Sequence, residues 1–165
     1  MDYTTQINEN LLKGELSIPL SGDSLQRFYD YVQETCEETM LRMLGVDEFA
    51  EFEDSFEDEP QADKWVNLWN GCTITTDLGK MKFEGMKKAC TILSYVAFCE
   101  ELGRNTESGK FKDNISNATQ VDAVQDNRRL DVLYNKAVSI YTNAFELVKD
   151  YDGVIYRHIE FRCLN

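Results

Sequence analysis

The chain has 165 residues with 17 bases, 30 acids and a formal net charge of −13, which is length enough for one domain that buries roughly 70% of its unfolded surface without disulfide staples. A charge of that sign excludes binding to nucleic acid or anionic membrane by bulk attraction, and it favours steering towards a basic protein surface. The charge is also unevenly placed: residues 1–63 hold 17 acids against 3 bases, whereas residues 64–165 hold 13 acids against 14 bases.

Residues 1–22 are polar and thinly apolar until Glu15-Leu16-Ser17-Ile18-Pro19-Leu20. There Leu16, Ile18 and Leu20 alternate around a proline that lacks the amide a central strand needs, so the spacing predicts an edge strand or an extended arm. Ser21-Gly22-Asp23-Ser24 supplies an N-cap, and Leu25, Phe28, Val32, Cys36, Met40, Met43 and Leu44 recur at helical spacing, so a helix is expected over 24–44 with Gly45 as its stop. The acidic segment 47–60 comes next. Its first thirteen positions hold eight carboxylates and three phenylalanines without a base. It is expected to be helical over 46–52 and loose towards Pro60, with its acids solvated, and Phe49, Phe52 and Phe56 either pack on the domain or anchor a partner. A short helix over 62–70 puts Trp65, Leu68 and Trp69 on one face and ends at Gly71.

Residues 72–84 alternate weakly around Asp77-Leu78-Gly79-Lys80, which predicts a small hairpin or structured loop. From Met86 to Leu102 the chain is apolar almost all round, the pattern of a central buried helix, with Gly103 as its expected stop and a polar loop over 104–118. Val121, Val124, Leu130, Leu133, Ala137, Ile140, Ala144 and Leu147 then keep close to a heptad stride, which predicts a long bundle helix over 120–150. After Gly153 the tail alternates again. Ile155, Ile159 and Phe161 share one side, while Tyr156, Arg157 and Arg162 can reach acidic or backbone groups, which suits a strand or an assembly arm. The expected fold is mainly α: an antiparallel helical bundle over 23–153 with Phe28, Trp69, Leu93, Phe98, Leu133 and Ile140 in its core, flanked by arms at 1–22 and 154–165.

Little in the chain suggests a reaction. The one histidine, His158, falls in the tail, where a surface or interface role is expected. Cys36, Cys72, Cys90, Cys99 and Cys163 are odd in number, lack a Cys-x-x-Cys spacing and mostly fall in apolar stripes, which fits reduced thiols in an intracellular compartment. The acidic run lacks the alternating ligands and central glycine of a calcium loop, and Gly79, Gly85, Gly103 and Gly109 form no phosphate-binding spacing. We therefore expect no enzyme, cofactor or metal. No stretch approaches the roughly 20 apolar residues of a membrane span, and the first thirty residues lack the pattern of a leader.

Five features in order carry a resemblance: Trp65 to Gly71, the Phe83-Glu84-Gly85-Met86-Lys87 step, the helix with Leu93-Ser94-Tyr95-Val96-Ala97-Phe98, the Ser108-Gly109 to Ser116 loop, and the long last helix. Over residues 15–150 this order resembles the head-tail connector (adaptor, or ring) proteins in the neck of tailed bacteriophages, nearest to those of crAss-like and other Bacteroides phages. The acidic insertion at 47–60 and the tail after Gly153 fall outside the match. The resemblance implies a compact helical bundle assembled as a homo-oligomeric ring, a dodecamer, under the portal protein and beside other neck or tail proteins in the virion. DNA would pass along the ring without specific binding, and an acidic wall would repel its phosphates. The residues expected to meet partners are Leu16, Ile18 and Leu20, the acids Glu51, Glu53, Asp54, Glu57 and Asp58, and Ile155, Tyr156, Arg157, Ile159, Phe161 and Arg162 of the tail. Charge alone also fits a second class, an acidic DNA mimic or regulatory protein that occupies a basic or nucleic-acid-binding partner.

Overall fold

In the computed structural model the described residues are 1–7, 16, 23–56, 62–76, 79–107 and 123–148. They form six helices and one hairpin in the order α1 (Tyr3–Gln6), α2 (Asp23–Leu44), α3 (Val46–Asp54), α4 (Asp63–Asn70), β1 (Cys72–Thr76), β2 (Gly79–Phe83), α5 (Met86–Glu107) and α6 (Ala123–Val148). The mainly helical class expected from the periodicity is the one observed.

Helix α5 is the axis of the bundle, because its apolar residues point in too many directions for one neighbour to cover. Met86, Ala89, Cys90, Ile92, Tyr95, Val96 and Phe98 are all buried, and both α2 and α6 pack against the helix. Its two buried hydroxyls are satisfied inside the helix: Thr91 Oγ1 donates to the Lys87 carbonyl at 2.6 Å and Ser94 Oγ to the Cys90 carbonyl at 2.8 Å. Helix α2 lays Phe28, Val32, Cys36, Met40 and Met43 on α5 and runs antiparallel to it. Phe28 meets Phe98 edge-on with ring centroids 5.8 Å apart, and Tyr31 meets the same ring at 6.1 Å. Eight residues further along α2, Cys36 meets Cys90, eight residues back along α5. On the other side, α6 contributes Leu133, Ala137, Ile140, Tyr141 and Ala144.

At one end of the bundle, Phe52 of α3 sits inside an aromatic cluster, with ring centroids 5.0 Å from Phe56, 5.8 Å from Trp65 and 5.9 Å from Trp69. The phenylalanines of the acidic segment are therefore packing residues of this chain. The hairpin pairs Cys72 with Phe83 and Thr76 with Gly79 in antiparallel register, and Phe83 plugs its base into the core.

Four expectations need correction. The first residues are not merely a polar arm: Tyr3 and Ile7 are buried, the Tyr3 ring lies 5.6 Å from Trp69, and the Tyr3 N–H donates to Gln33 Oε1 at 3.0 Å. Two apolar side chains four apart suffice to dock one helical turn, too little periodicity to stand out in a polar stretch. Helix α5 runs through Gly103 to Glu107, so residues 104–107 are not loop; a single helical glycine costs about 1 kcal/mol, which the packing of a long helix can absorb. Helix α3 extends past Phe52 to Asp54. Leu93, expected in the core, is only half-buried at its edge.

Candidate assembly surface

The acids expected to meet partners divide once the local geometry is known. Helix α3 carries Asp47, Glu51 and Asp54 at i, i+4 and i+7 on its exposed side and Phe49 and Phe52 on its buried side, the arrangement an amphipathic helix imposes. Asp47 and Glu48 fall in its first turn, where the helix dipole favours negative charge.

Two of the segment's carboxylates have partners within the chain: Glu53, partly buried contrary to the solvated role expected for the run, and Glu51, which stays exposed. Glu53 Oε1 accepts from the Met1 ammonium at 3.2 Å and from the Tyr3 hydroxyl at 3.3 Å, which ties the first residues to α3. Burial, and next the Glu53 charge, push the Tyr3 phenol well above its ordinary range. Glu51 pairs with Lys64 and accepts from Trp65 Nε1 at 3.3 Å, while Lys64 Nζ lies 4.4 Å from the centre of the Trp65 ring. The hydrogen bond from Lys64 holds the Glu51 carboxyl below its usual value. Asp54 remains on the exposed side. Leu16 is buried, only 3% exposed, within the core cluster, so its apolar surface is already used. Ile18, Leu20, Glu57, Asp58, Ile155, Tyr156, Arg157, Ile159, Phe161 and Arg162 lie outside the described residues, as does His158.

Sequence reasoning missed a second acidic face. Asp30, Glu34, Glu37 and Glu38 of α2 are all exposed, and their i, i+4, i+7, i+8 spacing lines them along the side of the helix turned away from α5. The signal lies in that spacing, opposite the apolar stripe of the same helix. Arg42 pairs with Glu38, and Gln26 Nε2 donates to Asp30 at 3.3 Å. At the end of this stripe, where α2 turns into α3, two apolar side chains stand open: Leu41 is 38% exposed and Val46 is 73% exposed. On the far flank of the bundle, Val132 of α6 is 67% exposed beside Arg128, Arg129 and Asp131.

A groove of about 400 Å³ lies at the base of the hairpin, lined by Asn70, Gly71, Cys72, Lys82, Glu84 and Lys88 among others. Two of its ionic groups pair with each other, Lys88 with Glu84, and Lys82 is exposed at its edge. Burial pushes the Cys72 thiol up, which keeps it in the weakly nucleophilic protonated form at neutral pH. Among the described residues no cluster of three or more His, Cys, Asp or Glu side chains could hold a metal ion, and no helix is long and apolar enough to cross a membrane.

The prominent surface features are therefore the acidic outward sides of α2 and α3, with Leu41 and Val46 open where the two helices meet. No protein-family model, curated protein or solved structure matches the chain.

Proposed function

We propose that the chain is a structural subunit of a tailed-phage neck, assembled as a homo-oligomeric ring that joins the portal to the tail and lines the channel through which DNA passes. The observation that carries this reading is the division of labour on α2 and α3. Their apolar sides are spent on the core, and their outward sides present Asp30, Glu34, Glu37, Asp47 and Asp54 to the surroundings. Such a face repels phosphates and gives a passing duplex nothing to hold. The helical bundle with a long last helix also agrees with the resemblance carried by Trp65–Gly71, Phe83–Lys87 and Leu93–Phe98. In this role the tail residues Ile155, Ile159 and Phe161, with Tyr156, Arg157 and Arg162, serve as an arm that clips onto a neighbouring subunit or the portal, the usual use of an extended alternating segment beside a finished core.

The test is co-purification. Phage particles from a host carrying the gene, banded on a density gradient, should contain this chain in a fixed stoichiometry with portal protein, and should retain it after nuclease treatment. Recovery of the chain only in the soluble fraction, bound to a basic nucleic-acid-binding protein, would favour the DNA-mimic class instead.

A further inference from the structure

We infer that Cys36 and Cys90 form a redox site, a dithiol that hydrogen peroxide closes to a disulfide, bracing α2 to α5 inside the bundle. The inference is independent of the neck reading.

The register of the two helices builds the site. Phe28 of α2 meets Phe98 of α5, and the antiparallel run from that contact brings Cys36 opposite Cys90 about two turns along each helix. There the two thiols share a hydrogen bond. Both residues are fully buried and both are free thiols. Helix α5 presents a low surface at this point, because Ala89, Cys90 and Ser94 are all small and all buried. A low ridge lets two helices approach closely, and a disulfide needs β-carbons within about 3.5–4.5 Å. A single buried cysteine is ordinarily a small hydrophobe. Two that touch across separate helices, 54 positions apart, can lose two hydrogens without either helix leaving its place.

Burial pushes the Cys36 thiol well above its ordinary range. The pair therefore stays reduced against bulky disulfides and reacts slowly, with an oxidant small enough to enter the core. In the first step one sulfur attacks a peroxide oxygen and the O–O bond breaks. The departing oxygen takes the thiol proton and leaves as water, and the attacking sulfur becomes a sulfenic acid. In the second step the other sulfur attacks the first, the S–S bond forms and the S–O bond breaks. The hydroxide leaves with the second thiol proton as another water. Two thiols are oxidised by two electrons and one peroxide is reduced to two waters. The product carries no charge, so the dry core holds it without a desolvation penalty. The covalent ring it closes runs through α3, α4 and the hairpin, which ties down the elements around the Phe52 cluster as well.

The test treats the folded chain with hydrogen peroxide, alkylates the remaining thiols in denaturant, and reads an unreduced digest by mass spectrometry. A peptide linking Cys36 to Cys90 should accumulate while the far-ultraviolet circular dichroism stays unchanged. The melting temperature should rise by roughly 5–15 °C, the effect of a typical disulfide on a domain of this size. Peroxide should produce no such rise in Cys36→Ala, and if that variant fails to fold, the linked peptide and the rise in the unaltered chain still decide the matter. The inference is overturned if Cys36 and Cys90 are recovered alkylated while Cys72 or Cys99 is oxidised, or if the two become separate sulfinic acids. It is also overturned if the link forms only after the chain is unfolded in urea, or if the linked chain melts no higher than the reduced one.

Discussion

The backbones of Gly71 and Gly85 lie against each other. A β-carbon on Gly85 would stand 2.6 Å from the Gly71 nitrogen, and one on Gly71 would stand 2.9 Å from the Gly85 nitrogen and 2.5 Å from the Phe83 carbonyl oxygen. Both residues have positive φ, 92° and 87°, so the end of α4 and the start of α5 cross at a point with no room for a side chain. Gly71→Ala or Gly85→Ala should each lower stability by at least about 2 kcal/mol, combining left-handed strain with overpacking against backbone that cannot swing aside. Gly79, which also has positive φ but nothing within 4 Å of its would-be β-carbon, is the control, and Gly79→Ala should cost about 1 kcal/mol. Urea unfolding of the three variants checks the order.

The aromatic cluster around Phe52 gives the largest expected single-residue effect. Phe52 is fully buried among Phe49, Phe56, Trp65 and Trp69, and Phe52→Ala should cost about 3–5 kcal/mol through the cavity it leaves. Leu93 lies half-buried at the rim of the core, so Leu93→Ala should cost less than the 2–5 kcal/mol typical of a buried leucine. Equal losses in the two variants would contradict this placement of the core.

The burial of Phe52 also shows what the sequence could and could not convey. The spacing of Phe28, Val32, Cys36 and Met40, and of Leu133, Ala137, Ile140 and Ala144, was enough to locate α2 and α6, because long helices repeat their signal over many turns. Short or singular features carry no such repetition. The turn holding Tyr3 and Ile7 has two apolar residues among polar ones, and the partnership of Glu53 with Tyr3 spans 50 positions, a pairing no local pattern encodes. The acidic run was visible as composition, but composition does not say which carboxylates find partners within the chain. Of its acids, Glu51 found Lys64 and Glu53 found the first residues of the chain, while Asp54 stayed outside.

That division predicts unequal effects of charge removal along α3. Glu53→Ala leaves the Tyr3 hydroxyl and the Met1 ammonium without their shared acceptor and should cost about 1 kcal/mol, below the full value of a charged hydrogen bond because the site is partly solvated. Asp54→Asn, on the exposed side, should change stability by less than about 0.5 kcal/mol. Thermal melts of the two variants distinguish an acid that holds the fold from one that faces outward.

Alkaline pH should destabilise the chain through its buried phenols. Burial pushes both Tyr3 and Tyr141 above the ordinary tyrosine value of 10.0. The folded state thus keeps its protons where the unfolded state has released them. The contribution is fully present below about pH 10 and is lost as the pH rises through the folded-state values. Urea midpoints should begin to fall near about pH 10 and keep falling above it, and Tyr3→Phe, which removes one titrating group, should make that fall shallower. An unchanged slope in the variant would contradict the burial of Tyr3 beside Glu53.

The neck assignment is tested most directly by a density map of purified phage particles at side-chain resolution. A closed ring of this chain should appear between portal and tail, with Asp30, Glu34 and Glu37 of α2 facing the channel and with no contact to DNA bases. A map that resolves the neck and contains no copy of the bundle built by α2, α5 and α6 would contradict the assignment.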